Sequence, residues 1–130
     1  MKRTLMIVDD IYANRFLVTQ LFPDDIVICV ENGAAMWEKL EETVPDIILM
    51  DVNLPDEDGF ELTKQLKASE QYQHVPVVFL TVHYTKNDVM KAADAGGDGY
   101  ITKPFQEEVL VKRVNKVLID KRLRELRNES

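Results

Sequence analysis

Asp9 and Asp10 close one short apolar run of the chain and Asp51 closes another, while Thr81 and Lys103 end two later runs of the same kind. The C-terminal ends of strands in an open parallel sheet converge on one crevice, where such folds bind ligands. Three carboxylates, one hydroxyl and one ammonium gathered there suit a divalent cation and a phosphoryl group. Left alone, the carboxylates repel, and at least one would hold its proton more tightly. A hard divalent ion removes the conflict. Mg²⁺ suits best, because it uses few protein oxygens, keeps several waters and bridges readily to phosphate; Mn²⁺ has similar ligand preferences. The backbone carbonyl of Asn53, two positions past Asp51, offers one more oxygen.

Asp51 is the candidate nucleophile, because it closes the central apolar strand. A carboxylate attacking phosphorus gives an acyl phosphate, a recognised covalent route, and such chemistry depends on positioning and charge neutralisation. Lys103 and the cation would counter the phosphoryl oxygens, and the Thr81 hydroxyl could donate a hydrogen bond to one of them. Each residue alone has a plainer use. Asp10 could simply cap the following helix, a strand-end threonine is ordinary β-branched filler, and a single lysine is ordinarily a solvated charge. The joint arrangement is what points to chemistry.

The elements that must position these residues are legible as alternating patterns. Five β-prone runs cover Thr4–Asp9, Ile26–Glu31, Asp46–Asp51, Pro76–Val82 and Asp98–Thr102. Ile47-Ile48-Leu49-Met50 and Val77-Val78-Phe79-Leu80 are continuously apolar, as expected of strands covered on both faces. Helical spacing marks the segments between: Ala13, Phe16, Leu17 and Leu21; Ala34, Met36, Trp37 and Leu40; Phe60, Leu62 and Leu66; and Val89, Met90, Ala92, Ala93 and Ala95. Pro23-Asp24-Asp25, Val44-Pro45, Gly59 and Gly96-Gly97 punctuate the divisions. The expectation is a five-stranded, doubly wound α/β domain with a parallel sheet and helices on both faces. A last helix-compatible stretch runs from Gln106 to about Arg127, and its charged end is expected to be either a frayed tail or the start of a connector.

At 130 residues the chain fits one domain. A net charge of -7 argues against general affinity for nucleic acid or anionic membranes. One cysteine, Cys29, excludes an internal disulfide framework, and within the Ile26–Val30 run it reads as a small buried thiol. The N-terminal apolar run is too short for a secretory signal, and no apolar stretch is long enough to span a bilayer. The expected location is cytoplasmic.

Over about residues 3–119 the chain resembles the receiver domain of two-component response regulators. The resemblance rests on Ile7-Val8-Asp9-Asp10, on Ile48-Leu49-Met50-Asp51-Val52-Asn53-Leu54-Pro55, and on Asp58-Gly59, Phe79-Leu80-Thr81 and Ala95-Gly96. It is completed by Tyr100-Ile101-Thr102-Lys103-Pro104-Phe105. The intervals fit as well: 41 residues from Asp10 to Asp51, 30 on to Thr81 and 22 to Lys103. The resemblance implies a flavodoxin-like sheet of strand order 2-1-3-4-5. It also implies a phosphorylation-dependent switch. Asp51 would accept a phosphoryl group from a phosphohistidine of a sensor histidine kinase or histidine phosphotransfer protein, with Asp9 and Asp10 assisting Mg²⁺. Thr81 would then move toward the phosphate and Tyr100 turn inward, changing the face made by the fourth helix, fifth strand and fifth helix. The Lys103–Pro104 bond would be cis. Residues 1–119 would form the receiver domain, and 120–130 a helical extension or linker start; the chain would be either a stand-alone messenger acting on a partner or a piece of a longer regulator or hybrid kinase with an output domain elsewhere. The resemblance also allows a homodimer through that same face or through the fifth helix.

Some residues depart from the usual pattern. Val82 stands where relatives carry a smaller residue and is expected to crowd the phosphate or hinder Thr81. Asn53 and His83 occupy variable positions expected to tune dephosphorylation. Gly99 lacks the acidic side chain that pairs across some regulator dimers, leaving Arg113 for another acid. Three other functions compete. A phosphatase of the haloacid dehalogenase type also uses an aspartyl phosphate, but it usually carries a second Asp where this chain has Asn53. A flavin site would set Asp9 and Asp10 against a phosphate where a neutral cradle is wanted. A receiver-like interaction module would lack phosphorylation, against which the set Asp10, Asp51, Thr81 and Lys103 argues.

Overall fold

The computed structural model describes residues 2–82 and 85–129. Five parallel strands form the sheet: β1 (Thr4–Val8), β2 (Ile26–Val30), β3 (Ile47–Asp51), β4 (Val77–Thr81) and β5 (Gly99–Thr102). Their spatial order is β2-β1-β3-β4-β5, so the chain reverses direction beside β1, between β1 and β3. The register aligns Val8 with Met50, Asp51 with Leu80 and Thr81 with Thr102, which brings the strand ends level at one edge. Each strand agrees with its sequence-read run to within a residue at either end.

Alternation along the strands divides the core in two. Met6, Val8, Ile48, Met50, Val77 and Phe79 face the layer made by α2 (Gly33–Glu42), α3 (Gly59–Ala68) and α4 (Lys86–Asp94). Leu5, Ile7, Ile47, Leu49, Val78 and Leu80 face α1 (Tyr12–Leu21) and α5 (Glu107–Glu129). The central strands are wholly buried because both faces are covered. Among the described residues no helix is long and apolar enough to cross a membrane.

Local chemistry sets the helix ends. Asn32 caps α2 by accepting from the Ala35 N–H, and Asp58 caps α3 by accepting from Phe60. Thr85 and Asp88 form a reciprocal capping box at the start of α4. Past the end of α4, Gly96 has a φ of 90° that permits the Gly97-to-Ala92 and Gly96-to-Ala93 bonds of a Schellman motif.

Three expectations need correction. Cys29 is exposed, because β2 is an edge strand with a neighbour on one side only. On α1 the buried residue is Val18, with Leu17 and Leu21 partly covered, whereas Ala13 and Phe16 face outward. The helix docks along a line turned away from the stripe those two residues suggest. On α4 only Ala92 is buried; Val89 and Met90 are exposed, because this short helix packs through its small residues. The closing segment is helical to Glu129, and its last buried side chain is Val117.

Candidate functional site

The strand ends carry the site. Asp9 follows β1, and its backbone N–H bonds to the Val30 carbonyl, which continues the sheet one residue past the strand. Its side chain is fully buried. Asp10 is exposed beside it, and Asp51 ends β3 with 2% exposure. One carboxylate oxygen from each of the three lies within 4.8 Å of the others. Asp10 does not cap α1: the cap position is Ile11, which makes no side-chain cap bond. Asp9 serves the helix start instead, its Oδ1 accepting from the Ile11 N–H at 2.9 Å.

Lys103 lies just past β5, its N–H donating to the Thr81 carbonyl at 2.7 Å. Its Nζ stands 2.9 Å from Asp9 Oδ2 and 3.1 Å from Asp51 Oδ2. The following Lys103–Pro104 peptide is cis. Thr81 is buried at the end of β4, and half-buried Tyr100 packs against the core on the α4 side. Val82 is 62% exposed rather than packed into the crevice. His83 lies outside the described residues.

The loop after Asp51 is a small structure of its own. Asn53–Leu54 pairs antiparallel with Glu57–Asp58, and Asp56 adopts a φ of 61° at the turn, which an aspartate tolerates. The Asn53 N–H donates to Asp51 Oδ1 at 3.0 Å. Gly59 brings the loop back: its N–H bonds to the Val52 carbonyl, and a Cβ there would collide with the Asp51 carbonyl oxygen. Glu57 ties the tip to α2, with Oε2 accepting from the Gly33 N–H at 2.7 Å. A carboxylate at a helix N-terminus is favourably placed.

Electrostatically, the site is an excess of negative charge, two of its three carboxylates buried. Burial raises the proton affinity of Asp51 above the ordinary carboxylate value, and the neighbouring Asp9 adds to the rise; the Asn53 N–H and Lys103 oppose it. Lys103 contacts Asp9 and Asp51 and Arg15 touches the Asp9 backbone, so among the described residues the three carboxylates outnumber the cations beside them, an excess that a divalent cation would offset. The donors are all oxygen, the ligand chemistry of hard cations. The residues therefore fit such an ion.

Asp9, Asp10, Asp51, Thr81 and Lys103, expected from their types and spacing, all fall at this edge of the sheet. Three further residues support them. Asn14 donates to Asp9 Oδ2 at 3.1 Å, Arg15 donates to the Asp9 carbonyl at 2.9 Å, and Glu57 holds the loop. The available signal was position: Asn14 and Arg15 lie in the first turns of the helix that follows the aspartate pair.

The response regulator receiver domain model matches residues 5–115. The chain belongs to the response regulator receiver domain family. This receiver domain is 32% identical over 120 residues to the chemotaxis protein CheY of Halobacterium salinarum, spanning 91% of this chain and 98% of that protein. The solved structure of the chemotaxis response regulator CheY4 of Vibrio cholerae matches with a TM-score of 0.84 at 27% identity, covering 90% of this chain and 99% of that one. The Mn²⁺-bound form of the response regulator Rcp1 matches at 0.74 and 27%, covering 88% and 91%. A receiver domain is a phosphoacceptor signalling unit, a switch thrown by phosphorylation, and it implies a kinase as partner. The acidic group of Asp9, Asp10 and Asp51 lies within this shared fold and has the composition of a metal site.

Proposed function

We propose that Asp51 is the phosphoacceptor of this receiver domain and that Asp9, Asp10, Asp51 and the Asn53 carbonyl hold Mg²⁺. The phosphoryl source is a phosphohistidine on a sensor histidine kinase or histidine phosphotransfer protein. The observation that carries this reading is the burial of Asp51 against two further carboxylates and one ammonium, at the edge where all the strands end. The Mn²⁺ bound by Rcp1 supports a divalent ion at a receiver domain of this fold.

In the transfer, an Asp51 carboxylate oxygen bonds to phosphorus as the P–N bond breaks, and the departing imidazole nitrogen takes a proton from solvent. Mg²⁺, when bound, supplies positive charge for the phosphoryl oxygens. Lys103 already contacts Asp51 and supplies a second positive charge. The Asn53 N–H fixes Asp51 Oδ1, so the carboxylate is oriented before the donor arrives. Thr81 then hydrogen-bonds the phosphoryl group, and half-buried Tyr100 moves inward behind it, altering the face of α4, β5 and α5. Such a local charge change biases a two-state element. Asn53, Val82 and His83 set how water reaches the acyl phosphate. Residues 1–119 act as the receiver, and the rest of α5 acts as a connector, consistent with Val117 being its last buried side chain.

The test is incubation of the chain with acetyl phosphate and Mg²⁺, read by intact mass. One phosphoryl group is expected; chelating the cation or substituting Asp51→Asn should abolish it, and Asp10→Asn should weaken cation binding. A parent chain that gains nothing would leave an interaction module without phosphorylation, and multiple turnover of a generic phosphoester would indicate a phosphatase.

A further inference from the structure

Among the described residues, three donors hold the Asp9 carboxylate. Its Oδ1 accepts from the Ile11 N–H at 2.9 Å. Its Oδ2 accepts from two groups, Lys103 Nζ at 2.9 Å and Asn14 Nδ2 at 3.1 Å. An ionised carboxylate only accepts, so the Asn14 group facing it is the amide NH₂. Asn14 lies in the first turn of α1, half-buried, with its own N–H bonded to the Ile11 carbonyl. The adjacent Arg15 bonds the Asp9 carbonyl, so two successive side chains of α1 grip one residue.

The two donors on Oδ2 differ in kind. Lys103 is shared between Asp9 and Asp51 and carries a positive charge. Asn14 is neutral and fixed to the helix start, and a carboxylate oxygen has a second lone-pair direction for a metal. We propose that Asn14 is a positioning residue for the divalent cation, holding Asp9 in the orientation in which it ligates. This rests on the reading of Asp9, Asp10 and Asp51 as the cation site. Hydrogen bonds of this kind to a metal-ligating group typically govern affinity by about 10–100-fold.

The experiment is a Mn²⁺ titration of the full chain, following free Mn²⁺ by electron paramagnetic resonance, together with thermal midpoints measured in chelator. Asn14→Ala should bind Mn²⁺ about tenfold more weakly. Thr19→Ala serves as a control for loosening of α1, because Thr19 bonds the Arg15 carbonyl on the same helix away from the carboxylates; it should leave Mn²⁺ affinity unchanged. In an Asp9→Asn background, Asn14→Ala should have little further effect, because its action passes through Asp9. Unchanged or tighter Mn²⁺ binding by Asn14→Ala, or an equal loss in the Asp9→Asn background, overturns the proposal while the cation site stands. Absence of saturable Mn²⁺ binding by the parent, or binding indifferent to Asp10→Asn, overturns the site and this proposal together.

Discussion

Gly59 lies directly against the backbone of Asp51, with no room for a methyl group between its Cα and the Asp51 carbonyl oxygen. The close approach closes the loop that carries Asn53 and sets where Asp51 stands. Gly59→Ala must push one of the two backbones aside. Overpacking of this kind costs about 1–3 kcal/mol, and the displaced carboxylate should accept phosphate more slowly. Urea unfolding and the rate of phosphorylation by acetyl phosphate check the two halves. A variant with parent stability and rate would show that the loop adapts freely.

Asp51→Asn should stabilise the cation-free protein at neutral pH even as it abolishes phosphorylation. Burial raises the Asp51 proton affinity in the folded state. Below its unfolded value, about 4, the group is protonated in both states and carries no penalty. As pH rises through the raised folded value, the ionised form loses stability. The asparagine variant should therefore melt higher than the parent in chelator at pH 7, by about 3 °C for each kcal/mol, with the gap closing in acid. Added Mg²⁺ should shrink it from the other side, by stabilising the parent.

Glu57 and Gly33 should behave as one latch. Glu57→Ala removes a charged hydrogen bond at the start of α2, a loss of about 1 kcal/mol for this part-buried pair. Gly33→Ala places a methyl group 2.6 Å from Glu57 Oε1 and should displace the same side chain. Made together, the two substitutions should cost less than their sum. Strict additivity in denaturant unfolding would separate them.

Arg3 and Asp25 give a pH dependence at the opposite end of the sheet. The Arg3 guanidinium, bonded at 2.9 Å, holds the Asp25 carboxyl below its ordinary value. The contribution is complete above the unfolded value of about 4 and is lost as pH falls through the lower folded value. Arg3 is partly exposed, so solvent screening limits the pair to at most about 1 kcal/mol. The midpoint advantage of the parent over Asp25→Asn should be present at pH 7 and should shrink steadily as pH falls below about 4.

Removing residues 123–130 should leave the domain folded. The last turns of α5 hold i,i+4 ion pairs such as Lys121 with Glu125, which contribute about 0.2–0.5 kcal/mol each. A loss of several kcal/mol in the truncated chain would move the domain boundary beyond residue 119.

The sheet was legible because Ile47–Met50 and Val77–Leu80 are unbroken apolar runs, which parallel strands covered on both sides require. Strand ends then located Asp9, Asp51, Thr81 and Lys103 without further information. What escaped the sequence depended on neighbours. Cys29 looks like any core thiol until β2 is known to be an edge. Val89 and Met90 match a helical period, yet α4 turns them outward and docks through Ala92. Asn14 and Glu57 act through side-chain reach across elements, which spacing along the chain does not encode.

Twelve residues of α5, 118–129, continue past its last buried side chain at Val117. At 1.5 Å per residue this is a rod of about 18 Å. A tilt of about 10° pivoting near Val117 would sweep its tip through about 3 Å, by the same helical rise. Any tilt of α5 is therefore magnified at its tip relative to the turns docked on the sheet.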